Sequence, residues 1–87
     1  MDDRRKRLIL RAWRRGFQEM DLICGQFAES RAADLSEADL TAFEALLEAA
    51  DQDVYDWVLG RAPPPADHDT PLLAQLRTHA FAGANRS

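Results

Sequence analysis

One cysteine, two histidines, four glycines, four prolines and no long apolar run: these shortages bound what the 87-residue chain can be. A lone thiol, Cys24, cannot close an internal disulfide, and with two histidines it offers no zinc-ligand spacing. It reads as a small buried hydrophobe on a helix. No apolar stretch approaches the ~20 residues of a membrane span, and Leu8-Ile9-Leu10, the longest near the start, ends at Arg11. A secretory signal needs more apolar chain than that. The protein is therefore expected to stay in the compartment where it is made, with no membrane insertion. Valine and isoleucine are few, and no alternating β-branched run points to a strand.

What is present is ordinary globular material: 46% hydrophobic and 30% charged residues, too apolar for a disordered chain. The length suits one domain over residues 1–87, with an ordered core at about 2–82 and a tail at 83–87. The net charge of −4 is uneven. Residues 1–15 hold seven basic side chains against two acidic ones, a net of +5, and the rest carries −9. An acidic body of this kind argues against wrapping nucleic acid. The basic end is left to meet an acidic surface on a protein partner.

The apolar residues recur at helical spacing, giving an all-α fold: a single small bundle of about five helices. The first spans about Asp2 to Arg14, with Ile9 and Trp13 on one face and Leu8 and Ala12 beside them, and stops at Gly16. The second spans about Phe17 to Arg31, with Met20, Ile23, Cys24 and Phe27 as its core stripe. Gly25 inside it costs about 1 kcal/mol relative to alanine and is expected to permit close packing. Ser36 opens the third as a capping residue; Leu40, Phe43, Leu46 and Leu47 are buried, and Glu37, Asp39, Glu44 and Glu48 face water. A short fourth helix, capped by Asp51 or Asp53, buries Val54, Trp57 and Val58 and ends at Gly60. Pro63-Pro64-Pro65 forms a stiff connector, and Thr70-Pro71 begins the last helix, which packs through Leu72, Leu73, Leu76 and Ala80.

No catalytic apparatus emerges. His68 and His79 lack further metal ligands at a usable spacing. Ser30, Ser36 and Ser87 stand on a helix end, a cap and the terminus, away from any base. Gly16 and Gly25 do not make a phosphate loop, which needs its lysine and hydroxyl directly after the glycines. One segment stands out, Arg14-Arg15-Gly16-Phe17-Gln18-Glu19-Met20-Asp21. Gly16 joins two helices there. Glu19, three residues on, is placed to cap the free amides of the second helix or to pair with Arg15. Asp21 lies off the core stripe and should be exposed. The expected outcome is a rigid corner carrying Arg15, Glu19 and Asp21 around a glycine that lets another backbone come close.

Arg15-Gly16-x-x-Glu19 with Met20-Asp21-Leu22 resembles the RGxxE motif of the succinate dehydrogenase flavination factors, the SdhE-like assembly factors of bacteria and mitochondria. Leu22-Ile23-Cys24-Gly25-Gln26-Phe27 is similar to the family's second helix, and Leu35-Ser36-Glu37-Ala38-Asp39-Leu40 to the start of its third. Leu46-Leu47-Glu48 and Asp51-Gln52-Asp53-Val54-Tyr55-Asp56-Trp57-Val58 are similar to its LLE…DPDLxxWL segment. The likeness covers about Arg4 to Gly60. Gln52 and Val54 depart from the usual proline and leucine, and Phe17 stands at a variable position.

The resemblance implies a five-helix, non-enzymatic assembly factor, chaperone-like, that binds the flavoprotein subunit of succinate dehydrogenase or fumarate reductase. It would promote covalent attachment of FAD, the client's cofactor, without stably binding one itself. It also implies contact through Arg15, Gly16, Glu19 and Asp21, with Arg11 and Arg14 supplying neighbouring positive charge. A monomer in the bacterial cytoplasm is expected. A second reading within the same family is a partner-binding regulator, antitoxin-like, acting on a small membrane protein. A nucleic-acid binder using the basic first helix is disfavoured by the acidic remainder. A mitochondrial targeting role for the arginine-rich start is disfavoured by Asp2 and Asp3.

Overall fold

The computed structural model describes residues 2–14 and 18–84, the last three of these as backbone only, and folds them into five α-helices. They are α1 (Asp3–Ala12), α2 (Gln18–Arg31), α3 (Glu37–Leu47), α4 (Asp51–Leu59) and α5 (Pro71–Ala84), with a single 3-10 turn at Ala66–His68. No strand occurs among the described residues. Of the expected tail, residues 83 and 84 continue α5, and 85–87 lie outside the described residues.

Short polar side chains set most of the helix starts. The Asp2 carboxylate accepts from the Arg5 N–H at 2.9 Å and opens α1. Ser36 Oγ accepts from the Asp39 N–H at 3.1 Å and opens α3. Thr70 Oγ1 accepts from the Leu73 N–H at 3.2 Å, with Pro71 as the first residue of α5. Each satisfies an amide that the helix leaves without an internal partner. The start of α4 departs from expectation: its N-cap is Ala50, which has no side chain to accept a bond. Asp51 and Asp53 instead occupy the first turn, where their charge favours the positive end of the helix dipole. At the far end of α4, Gly60 adopts φ 76°. That left-handed turn lets the Arg61 N–H reach the Asp56 carbonyl at 2.8 Å and the Gly60 N–H reach Trp57 O at 3.2 Å.

All five helices feed one core. Leu8 and Ala12 come from α1, Met20, Cys24 and Phe27 from α2, and Leu40, Phe43 and Leu46 from α3. Val54 and Val58 come from α4, and Leu72, Leu73 and Leu76 from α5. The stripes read from the sequence are those that are buried, with adjustments at their edges. Ile9, Trp13, Ile23, Trp57 and Ala80 are half-buried rather than central. Trp57 lies at the margin and stacks on His68, ring centroids 5.2 Å apart and planes at 25°. Phe27 holds the centre, edge-on to both Phe43 and His79 at 5.6 Å, a favourable aromatic arrangement. α5 packs against α2, α3 and α4, while α1 lies across α2 and α3.

Three basic residues near the start of the chain are engaged internally. Arg4 of α1 reaches Glu44 (2.7 Å), Glu37 (2.5 Å) and Thr41 (3.0 Å), all on α3. Arg5 donates to the carbonyls of Ala32 and Leu35, which follow α2. Arg11 pairs with Glu48 at 2.5 Å. Of the acids expected to face water, Glu37 and Glu48 do so while paired with Arg4 and Arg11, whereas Glu44 and Asp39 are half-buried, Asp39 accepting from Gln75 of α5 at 3.2 Å.

Candidate functional site

The residues singled out by sequence fall on the end of α1 and the first turns of α2. Arg15 and Gly16, with Phe17, lie outside the described residues, and so do the Gly16 corner and any pairing of Arg15 with Glu19. Arg11, in the last turn of α1, is held by Glu48. Arg14 follows that helix, its N–H donating to the Arg11 carbonyl at 3.1 Å, and its side chain is exposed. Leu10, Arg11, Arg14 and Leu47 line a shallow depression of about 210 Å³. Asp21 is half-buried, not exposed as its position off the core stripe led us to expect.

Glu19 is exposed in the first turn of α2, favourably placed against the helix dipole. The structure gives it a partner that sequence reasoning missed. The Tyr55 hydroxyl of α4 donates to Glu19 Oε2 at 2.5 Å. The bond, helped by partial burial and the nearby negative charge, pushes the Tyr55 pKa above the ordinary phenol value of 10, because a phenol that donates to a carboxylate keeps its proton. The Arg61 guanidinium lies over the Tyr55 ring, 5.5 Å from its centroid, a cation–π distance. No local signal links residues 36 apart in the chain, so the pairing was not legible before the helices were packed.

Behind Glu19 and Tyr55 opens a depression of about 380 Å³, walled by Leu22, Ile23 and Gln26 of α2, Leu59 of α4, and His79 and Ala80 of α5. Leu22 is 42% exposed there, one of three large hydrophobic side chains left open to solvent among the described residues. A carboxylate at the rim of an apolar hollow is suited to recognising a protein surface. Among the described residues no cluster of three or more metal-ligating side chains exists, and no helix is long and apolar enough to cross a membrane.

Comparison with known proteins shows the family. A family model described as "flavinator of succinate dehydrogenase" matches residues 6–80. The chain is similar to the FAD assembly factor SdhE of Acetobacter pasteurianus, 40% identical over 73 residues covering 84% of this chain and 67% of that protein. It is also similar to mitochondrial succinate dehydrogenase assembly factor 2 of Dictyostelium discoideum, 33% identical over 75 residues, 86% of this chain and 53% of that one. The corresponding protein of Cryptococcus neoformans is 36% identical over 77 residues, 87% of this chain and 44% of that one. The chain thus spans about two thirds of the bacterial relative and about half of the mitochondrial ones. With nearly its whole length matched and five helices around a single core, the chain belongs to the family of succinate dehydrogenase flavinators.

Proposed function

We propose that this chain is an assembly factor that binds the flavoprotein subunit of succinate dehydrogenase, or of fumarate reductase, and promotes covalent attachment of FAD to it. The observation that carries the reading is the match of residues 6–80 to the flavinator family. The presentation of Glu19 supports it from the structural side: the last residue of Arg15-Gly16-x-x-Glu19 stands exposed at a helix start, beside an apolar hollow. Family membership also supports a non-enzymatic role, in which the bond between flavin and client forms within the client. The helper lowers the barrier by holding the client's reacting groups in register, and alignment of reacting groups alone is worth several kcal/mol. Arg11, Arg14, Arg15, Gly16, Glu19 and Asp21 form the contact in this reading, and FAD belongs to the client.

Co-expression with the flavoprotein subunit tests it. Covalent flavin survives a denaturing gel and non-covalent flavin does not, so fluorescence of the subunit's band reports attachment. The signal is expected to rise with this chain and to fall several-fold with Glu19→Ala. Thermal unfolding of that variant should shift by no more than one helix-start side chain commands, about 1 kcal/mol. A band equally bright with and without the chain would overturn the proposal.

A further inference from the structure

We propose that Tyr55 is a positioning residue for Glu19: its hydroxyl, brought over from α4, fixes the direction in which the carboxylate is offered to the partner. The inference rests on the functional reading above, since Glu19 must work at the interface for its aim to matter.

An exposed glutamate samples several rotamers, and binding through it must first freeze them, at a cost of about 0.5–1.5 kcal/mol for a flexible side chain. Here one carboxylate oxygen, Oε2, is already taken by the Tyr55 hydroxyl at 2.5 Å. Among the described residues Tyr55 is the one donor to this carboxylate, and the second oxygen is offered to a donor on the partner, since an ionised carboxylate accepts at both. Tyr55 is itself held. It is half-buried on α4 between the core residues Val54 and Val58, and Arg61 covers its ring. Glu19, Tyr55 and the apolar walls of the hollow from α2, α4 and α5 thus form one surface. The partner chemistry that fits is a hydrogen-bond donor or cation beside an apolar side chain.

The chain contains a single tyrosine, which permits a direct check on the bond. The alkaline absorbance titration of tyrosinate reports Tyr55 alone. Among the described residues, Glu19 and Arg61 act on its hydroxyl and ring, and His79 lies across the hollow. In the intact protein, with helicity monitored, the midpoint should lie above the free-tyrosine value and drop toward it in Glu19→Gln, while Arg61 continues to favour the ionised form. An unchanged midpoint in Glu19→Gln would show that the bond does not form, and would overturn the proposal.

The functional arm uses Tyr55→Phe, which keeps the ring and removes only the hydroxyl. Covalent flavin formation in the client, measured with helper below saturation, is expected to slow roughly three- to tenfold, the reach of one partly solvated charge-assisted hydrogen bond. In the Glu19→Gln background the same change should have little further effect, because the two groups act as one. Full activity in Tyr55→Phe with loss of activity in Glu19→Gln would reject the positioning role and leave the assembly-factor reading standing. Absence of any stimulation by the unmodified chain would reject that reading itself.

Discussion

Gly25 sits beneath the indole of Trp13, and a Cβ built there would lie 2.2 Å from the ring carbon Cδ2 and 2.4 Å from Cε2. Sequence alone marked Gly25 as a costly glycine inside a helix. The structure supplies the reason, which is the close approach of the α1 end to α2. Trp13 is fixed there from its other side as well, its Nε1 donating to Glu29 at 2.8 Å. Gly25→Ala gains about 1 kcal/mol in helix propensity, yet it must displace a ring bonded at its edge, and overpacking of this kind costs about 1–3 kcal/mol. We expect a net loss of stability, seen as a lower urea midpoint with altered tryptophan emission. An unchanged or raised midpoint would show that the indole can move aside freely. Glu19 teaches the complementary lesson. It was singled out by its place in Arg15-Gly16-x-x-Glu19, but its partner was not legible, because Tyr55 is 36 residues away and nothing in its own surroundings announces the contact.

The elements that could be read in advance are those whose signals are local. Ser36, Thr70-Pro71 and Gly60 each act through bonds to residues within five positions, and each stands where the sequence placed it. The start of α4 was misread because two aspartates offered themselves as caps, while the chain uses the backbone of Ala50 and places both acids in the first turn. On the outward face of α3, Glu37 and Glu48 stay exposed as expected, while Asp39 and Glu44 are half-buried, for a different reason. Helical periodicity separates core from non-core positions, but it cannot tell solvent from a second helix laid across that face. Glu37 and Glu44 are gathered by Arg4 in this way. The Arg4 guanidinium lowers the Glu44 pKa below the ordinary value of 4.5, chiefly through its hydrogen bonds, and Arg4 itself stays protonated throughout. A carboxylate with a depressed folded-state pKa binds fewer protons folded than unfolded. Its contribution is therefore complete above about pH 4.5 and is lost as the pH falls through the lower folded value. Glu44→Gln should lower the urea midpoint at neutral pH and leave a smaller further decline on acidification below that point. An acid decline as steep as that of the parent chain would mean that other carboxylates carry it. High salt should weaken the effect only modestly, because the contact is short and partly screened already.

At the scale of the whole molecule, the all-helical class and the membership of its core followed from apolar spacing, because a chain this short has one core and each helix can bury only one face. Phe27 sits at the meeting point of α2, α3 and α5, fully buried between Phe43 and His79. Phe27→Ala should remove about 3–5 kcal/mol, a large share of the 5–15 kcal/mol typical of a small domain. Urea denaturation at neutral pH measures it, and a loss below about 1 kcal/mol would mean that the neighbouring rings close the gap. The uneven charge was legible as a number but not as a design. Arg4, Arg5 and Arg11 of its basic end are engaged by the chain's own acids and carbonyls, while Lys6, Arg7 and Arg14 stay exposed. Among the described residues, Leu10, Arg11, Arg14, Gln18, Glu19 and Leu22 stand outward around the end of α1 and the start of α2, and Glu19 and Leu22 line the hollow together with Tyr55. The measurement that tests the central claim most directly is reconstitution from purified components: apo flavoprotein subunit, FAD and this chain in equal amounts, sampled over time for flavin that survives denaturation. Covalent flavin should appear faster with the chain than without it, and Glu19→Ala should remove most of the acceleration while remaining helical. Identical time courses with and without the chain would contradict it.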